Sequence, residues 1–518
     1  MTHTSRRARV LAAFVAMAVT PALAAGCSAG QTTQPSATGS SGSGSSGPAP
    51  QGSKNLSVGM VLAPTSLDFT KADGAAIPQA LLGNVYEGLV KLDQDGKVVP
   101  SLTKSWQVSP DRTTYTFVLN ENVKFTNGAP FTADDVKFSV DRTKTDWTTS
   151  LAKVMGVVKE VTVVSPTTVQ VVLTKPSNDW LFRMAATRLG AMFSRTGVAD
   201  LAKTPVGTGP YKLESYKQGD TLTLARNQDY WGKAPYFEKV DLKYVADTSA
   251  LNNAMLSGGL DVLSIVQPDA VARFADANTY QTIEGTTNGE VVLSFNNAKG
   301  PFADKLVRQA ARAAINHQDL MGRCWGGKGK LIGSMVPPTD PWFEDLTGIA
   351  PYDVAKAKSL LGQAKTPNPA IRLRIPTAPY AVSCGQVVKS QLEQAGFTVT
   401  MDQMDFPSWL TTVLKNSDYD ASIVAHVEPR DLPTVFGNPD YYIHYKNPAL
   451  NEALAAADAG DEATQIAKMK EAARLISEDA AADWLFLLPN LMVAKKGITG
   501  LPQNSVSESF DLTGLSRT

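Results

Sequence analysis

Val123-Lys124-Phe125-Thr126-Asn127-Gly128-Ala129-Pro130-Phe131-Thr132-Ala133-Asp134-Asp135-Val136 sets the terms on which the rest of the chain is read. Asn127-Gly128 is a tight-turn pair, because both residues tolerate the left-handed backbone that a hairpin turn needs. Thr132 is an N-cap residue. Asp134 and Asp135 put negative charge into a first helical turn, where unpaired amides favour it. A helix carrying Val136 and Val140 follows. One short stretch thus joins a strand turn to a capped helix, and it predicts a chain of mixed α and β.

Outward from that stretch, Thr114–Leu119 alternates apolar and polar residues, as do 158–164 and 168–174 on either side of Ser165-Pro166, so all three read as half-buried strands. Nearer the start, 56–62 is strand-like and leads into the turn Pro64-Thr65-Ser66-Leu67-Asp68. Residues 77–92 then have helical spacing through Leu81, Leu82, Val85 and Leu89. On the other side, Gly207-Thr208-Gly209-Pro210 breaks the chain before strands at 211–216 and 221–227. A strand at 239–245 leads to a helix ending at Gly258-Gly259. A strand at 291–296 precedes an alanine-rich helix at 303–316. Residues 371–376 and 397–401 are strands around a helix, and 461–479 is an amphipathic helix with Ile466, Met469, Ala473 and Ile476 on one face. Strands group early and βα alternation comes later.

The first residues carry an address. Arg6, Arg7 and Arg9 precede an apolar run at 10–23, which is too short to span a bilayer and has the flanks of an export signal. Leu23-Ala24-Ala25-Gly26-Cys27 resembles a bacterial lipobox with its leucine one residue further out than usual. The resemblance implies an acylated Cys27 as mature N-terminus; plain secretion is the alternative. Residues 28–53 hold Gly, Ser, Thr, Pro, Ala and Gln with no charge or large apolar group, so they cannot offset their ordering entropy. As a coil of about 26 residues this tether has a reach of roughly 28 Å.

Lys+Arg and Asp+Glu are equal at 49 each, which argues against a nucleic-acid partner. Apolar content of 43% with 19% charge is ordinary for a globular body, and its length suits two or three domains. With three cysteines and four histidines in the chain, no structural zinc pattern can be assembled. No metal and no cofactor are expected. Nucleophile-elbow, zincin and phosphate-loop motifs are missing too. Cys324 and Cys384 are either bridged, as an exported protein allows, or two separately buried thiols.

Three blocks resemble the family 5 solute-binding proteins, the peptide and nickel receptors of ABC importers. The first includes Tyr86-Glu87-Gly88-Leu89-Val90, Pro100 to Trp106, and the opening stretch itself. The second is Val206-Gly207-Thr208-Gly209-Pro210-Tyr211-Lys212-Leu213 with Asp229-Tyr230-Trp231-Gly232. The third is Phe295-Asn296, Pro301-Phe302 and Val307-Arg308-Gln309-Ala310. Read from the residues, most of these positions serve the scaffold. The resemblance implies an α/β, two-lobed periplasmic-binding-protein-like fold. Its first lobe would be built from 55–92, 206–296 and 490–518, with an extra subdomain at 93–205 and a second lobe at 297–489. The signal would occupy 1–26 and the acylated tether 27–54. The hinge crossings would fall near 295–297 and 488–491, and ligand would bind between lobes that close on it.

In peptide-binding relatives an aspartate meets the ligand amine; in Tyr419-Asp420-Ala421-Ser422-Ile423-Val424-Ala425-His426-Val427-Glu428-Pro429-Arg430-Asp431 that place falls on Pro429. Glu428 and Asp431 are near enough to substitute, Arg430 suits a carboxylate, and His426 stands where an aromatic would flank the ligand. Tyr441, Tyr442 and Tyr445 are candidate stacking groups, and Thr65 and Ser66 candidate contacts from the first lobe. The alternative for the charged group is an exposed loop with an internal pair, and for the tyrosines packing beneath it.

The expected function is an extracytoplasmic, lipid-anchored receptor. It would deliver a peptide or peptide-like solute to the permease subunits of an ABC importer, as a monomer and without chemistry of its own. The competing readings are an envelope scaffold or regulator on the same fold and, for want of any catalytic constellation, far behind it, a hydrolase.

Overall fold

The computed structural model describes residues 54–72 and 74–518; the expected export signal, Cys27 and nearly all of the tether lie outside the described residues. One sheet of ten strands organises the body. From one edge to the other it runs Thr398–Met404, Ala370–Pro376, Ala421–His426, Tyr280–Phe295, Ala482–Lys495, Val262–Leu263, Asn55–Met60, Lys239–Tyr244, Thr221–Arg226 and Tyr211–Lys217.

Two antiparallel neighbours at its centre, Tyr280–Phe295 and Ala482–Lys495, are 16 and 14 residues long, and each reaches into the cores of both lobes. Val291, Leu293, Phe295 and Leu485 pack with Phe302, Leu373 and Ile423. Met492 and Ala494, at the other end of the return strand, pack with Val58, Leu224 and Val240. The molecule is therefore two-lobed, with the lobes sharing these strands. Alternation gives the second lobe its layers: Val291 and Leu293 face one helical layer while Val292, with Val424 and Trp484, faces the other.

The pairing of the long strands breaks once between the lobes. Tyr280 to Thr286 pair with Pro489 to Lys495, then Glu290 resumes opposite Leu487, leaving 287–289 against Leu488 alone. Thr287 Oγ1 donates to the Leu488 carbonyl at 2.7 Å and accepts from the Gly289 amide at 2.9 Å. Such a bulge bends a strand and loosens its ladder. The crossing expected at 295–297 lies instead deep in the second lobe, where Phe295 is fully buried and stacked on Phe302 at 4.4 Å. Residues 280–290 are rich in Thr, Gly and Asn and show no clean alternation, so a strand there carries no local signal.

The helix expected over 77–92 spans only Ala76–Leu81. Gly83 takes a φ of +75°, and a Cβ on Gly88 would lie 2.9 Å from the Val90 carbonyl and 3.0 Å from that of Gly190, so the chain folds back tightly. Leu81, Leu82, Val85 and Leu89 are all buried even so; their spacing reported burial and not helix.

The opening stretch of sequence forms as read. Phe125 and Ala129 bond across the turn at 2.9 Å with Gly128 at φ +85°. Asp135 Oδ2 accepts from the Thr132 amide at 2.9 Å and from its Oγ1 at 3.0 Å, which starts the helix Ala133–Thr145. That helix packs on a four-stranded sheet ordered Thr103–Val108, Thr114–Leu119, Thr168–Leu173, Val158–Ser165, whose core is continuous with the first lobe. In the second lobe Cys324 and Cys384 are joined as a disulfide, Sγ–Sγ 2.12 Å, tying helix His317–Trp325 to helix Pro379–Ala395. Among the described residues no helix is long and apolar enough to cross a membrane.

Candidate functional site

Motif residues from separate blocks converge on Glu87. Its carboxylate accepts from Thr208 Oγ1 at 2.9 Å, Tyr230 hydroxyl at 2.8 Å and Trp231 Nε1 at 2.9 Å. Burial pushes this carboxyl above its ordinary range and the three donors oppose that. Beside it, a Cβ on Gly207 would fall 1.9 Å from the Val85 carbonyl, so glycine is what lets two backbones touch. This knot fixes the scaffold of the first lobe.

A cavity of about 1560 Å³ is walled by both lobes. The first lobe contributes Asp179 and Arg183 from helix Asn178–Ala186, Arg188 just after it, and Glu508 from the C-terminal segment. The second lobe contributes Leu410, Leu414, Val427 and Glu428. Leu410 and Leu414 come from Leu410–Lys415, a turn of π-helix, a local widening that recurs at functional sites. Arg183 is paired to Asp179 at 3.0 Å. Glu508 is paired to Arg188 at 3.5 Å and accepts from its backbone amide at 2.7 Å. Burial raises the Glu508 carboxyl, Arg188 opposes that, and the negative charge of Glu428 in the other lobe adds to it.

Of the expected ligand contacts, Glu428 stands on this wall. It is exposed, and among the described residues its carboxylate makes no hydrogen bond or ion pair. Its neighbours turn elsewhere. Arg430 adopts a left-handed φ of +54°, and its guanidinium lies between Phe182 at 3.5 Å and Trp342 at 4.4 Å while Nε donates to Asp340 Oδ1 at 3.1 Å. Its side chain is 13% exposed and that of Asp340 is 9% exposed. Asp431 is buried, with Oδ2 3.5 Å from His426 Nδ1 and Oδ1 unpartnered. His426 Nε2 is 3.1 Å from the Tyr442 hydroxyl, itself 2.7 Å from Ser294 Oγ.

Tyr442 and Tyr445 are buried, and the Tyr445 hydroxyl donates to Asp479 at 2.9 Å, so both are packing residues of the second lobe. Tyr441 lies half-buried against Tyr442, ring centroids 5.1 Å apart. Thr65 is exposed and Ser66 Oγ accepts from the Asp68 amide at 3.2 Å; neither lines the cavity. Arg183, Arg188 and Glu508 were not anticipated. They stand singly, far apart in sequence, in stretches whose pattern reads as ordinary helix and tail.

Behind the Glu428 loop lies Glu290, fully enclosed on the long strand next to the bulge, with Oε2 unpartnered. Burial drives its carboxyl well above the ordinary value, and the nearby Asp431 and Asp340 add to the shift.

The family described as "Bacterial extracellular solute-binding proteins, family 5 Middle" matches over residues 97–445. The nickel-binding periplasmic protein of Escherichia coli K12 is 29% identical over 347 residues, covering 61% of this chain and 65% of that protein. The glutathione-binding protein GsiB of Salmonella typhimurium is 29% identical over 317 residues, covering 59% and 60% respectively. The chain thus spans somewhat less than two thirds of the length of these relatives. In three dimensions it matches the ABC transporter substrate binding protein CtaP of Listeria monocytogenes with a TM-score of 0.80 at 23% identity, over 90% of this chain and 99% of that one. With the match running through most of both lobes, the chain belongs to the bacterial extracellular solute-binding proteins of family 5.

Proposed function

We propose that this protein is an extracytoplasmic receptor that captures a peptide or peptide-like zwitterion between its lobes and presents it to an ABC importer, held at the membrane by lipid on Cys27. The observation that carries this reading is the cavity of about 1560 Å³ with charge of both signs on facing walls. Pockets for single small molecules run to roughly 300–1,000 Å³, so this one suits an extended ligand better than a lone ion. Arg183 and Arg188 offer guanidinium groups to a carboxylate, and Glu428 offers an unpaired carboxylate to an ammonium. Leu410, Leu414 and Val427 offer apolar surface to side chains between those ends. The names of the relatives, one binding glutathione and one nickel, bracket the chemistry this family accommodates. No step of bond making is assigned to the protein; its work is desolvating the ligand and closing around it.

Native mass spectrometry of the mature protein tests this directly. The expected result is a bound species of peptide mass that fragments at amide bonds after release. A protein that carries only metal, or that binds no member of a di- to pentapeptide library, sinks the reading.

A further inference from the structure

Glu290 and Asp431 are buried within the second lobe, and neither is on the cavity wall. Glu290 is the first residue paired after the bulge, and in the ladder it lies opposite His426. Opposed residues of an antiparallel pair present their side chains on one face, about 5 Å apart. On that face His426 Nδ1 is 3.5 Å from Asp431 Oδ2, and Nε2 is 3.1 Å from the Tyr442 hydroxyl. Glu290 Oε2 and Asp431 Oδ1 are both enclosed and both without a hydrogen-bond partner.

The charged and titratable groups around this pair are few. The 337–343 segment brings Asp340, which takes the Nε hydrogen bond of Arg430, and helix Asn178–Ala186 brings Arg183, which donates to the Arg430 carbonyl at 3.3 Å. Lys330, paired through its backbone with Leu487, holds its ammonium over the Phe343 ring at 5.4 Å. Helix Pro379–Ala395 brings Tyr380, whose hydroxyl accepts from the Ala425 amide at 3.0 Å. Tyr441 and Tyr442 close the other side. The cations are thus engaged elsewhere, and two enclosed carboxylates facing one another cannot both stay ionised. One proton resolves the conflict: a carboxyl donates, a carboxylate accepts, and the proton belongs to the pair. Burial and then the charge of Asp431 raise the Glu290 carboxyl, in the sense such a pair requires.

Asp431 has a second place to go. It is the N-cap residue of helix Leu432–Phe436, yet its side chain makes no capping bond. Aspartate is among the best residues at that position, accepting from the amide two or three residues on. Pro433 has no amide to give, so the donor is Thr434. The carboxylate therefore has an inward home beside Glu290 and an outward one on its own helix, and a proton decides between them.

We propose that Glu290 and Asp431 share one proton, and that losing it turns the Asp431 side chain out to Thr434 and shifts the 427–431 loop. The consequence, that the acidity of the medium sets the position of Glu428 on the cavity wall, rests on the receptor reading; the switch itself does not. The sign follows from the raised carboxyl: the proton is held at lower pH and lost as pH rises.

The test uses the whole mature chain. Infrared spectra in heavy water should show a protonated carboxyl band in wild type at about pH 6, where ordinary carboxyls are ionised, and none at about pH 9. Glu290→Gln, whose amide donates to Asp431 at any pH, should lack the band at both. Hydrogen exchange read by mass spectrometry should give the 427–436 segment one rate in wild type and variant at the lower pH. At the higher pH wild type should exchange there at least about tenfold faster than the variant, since occupancy of a proton falls tenfold per pH unit past its midpoint. The strand Thr114–Leu119 is the reference and should not differ. Asp431→Asn, which also keeps an inward donor, replaces Glu290→Gln in the exchange measurement if circular dichroism shows that variant unfolded. A wild type without the band at the lower pH, or loop exchange that matches the variant at both, overturns the switch. Neither measurement involves a ligand, so the receptor reading then stands, and falls only if the peptide library fails to bind.

Discussion

The guanidinium carbon of Arg430 lies 3.5 Å from the centroid of the Phe182 ring, and the two residues come from different lobes. Trp342 lies at 4.4 Å and Asp340 takes the Nε hydrogen bond, so two rings and a carboxylate of the protein hold this cation. Arg430 is a brace between lobes, next in sequence but one to the residue that faces the ligand space.

Removing that brace should cost stability. Arg430→Ala leaves the Asp340 carboxylate without its cation at a site where Asp340 is already pushed up by burial and by Asp431. Breaking a buried pair costs about 3–5 kcal/mol, against ~0–1 kcal/mol for an exposed one. Arg430→Lys keeps the charge but not the flat stack on two rings, and should recover only part. Guanidinium unfolding curves measure both; a loss under ~1 kcal/mol for the alanine variant would mean the pair is effectively solvated.

Glu290 should respond to pH in the opposite sense to a salt-bridged acid. Its carboxyl is raised from 4.5 in the folded protein, chiefly by burial and then by Asp431. Between the ordinary and the raised value the folded state therefore holds a proton that the unfolded chain has released. Stability then falls as pH rises through that window, and is fully kept below it. Glu290→Gln removes the titration and supplies a donor toward Asp431. It should be more stable than wild type at pH 8 by on the order of 1–3 kcal/mol, the penalty of an unsatisfied buried group. The gap should close as pH approaches about 4. A constant difference between pH 4 and 8 would assign the effect to packing.

The sequence made the local devices legible and left the distant meetings hidden. Asn127-Gly128 and Thr132 to Asp135 could be read because a turn and a cap are decided by neighbours. Three of the four strands of the subdomain showed themselves by alternation; Thr103–Val108, mostly exposed, did not. The bulge at 287–289 did not, since it depends on which residue of the return strand stands opposite. At the cleft, residues 426–431 are dense in polar groups, but sequence could not divide their roles. The left-handed φ at Arg430 is what sends that side chain to Asp340, Phe182 and Trp342, residues drawn from two remote stretches. Tyr442 and Tyr445 have the composition of ligand-stacking groups, yet their hydroxyls are satisfied by Ser294 and Asp479 inside the lobe.

The bond between Cys324 and Cys384 closes a loop with a sequence separation of 60. On the chain-entropy model such a loop is worth about 4 kcal/mol. Both sulfurs sit on helices of the second lobe, so reduction should lower the unfolding midpoint of that lobe and leave the first-lobe transition in place. Dithiothreitol added to a calorimetric scan checks this, with non-reducing peptide mapping to confirm the linkage. A single transition that moves as a whole would show that the lobes unfold together.

Glu428 should separate binding from stability. It is exposed and unpaired, so Glu428→Gln is expected to leave the unfolding curve unchanged, since surface substitutions away from special features cost little. If its carboxylate meets the ammonium of a bound zwitterion, the same change leaves a desolvated ligand charge without its partner, costing about 2–5 kcal/mol. That is a loss of roughly 30-fold or more in affinity. Asp431→Asn is the contrast: Asp431 is buried against His426 and outside the cavity, so its effect should fall on stability and leave affinity nearly untouched. Calorimetric titration of both variants with the ligand recovered from wild type decides the matter. Should Glu428→Gln bind within about threefold of wild type, the ammonium contact lies elsewhere. Glu508 is then the carboxylate to replace, because it faces the same space from the other lobe and already feels the charge of Glu428.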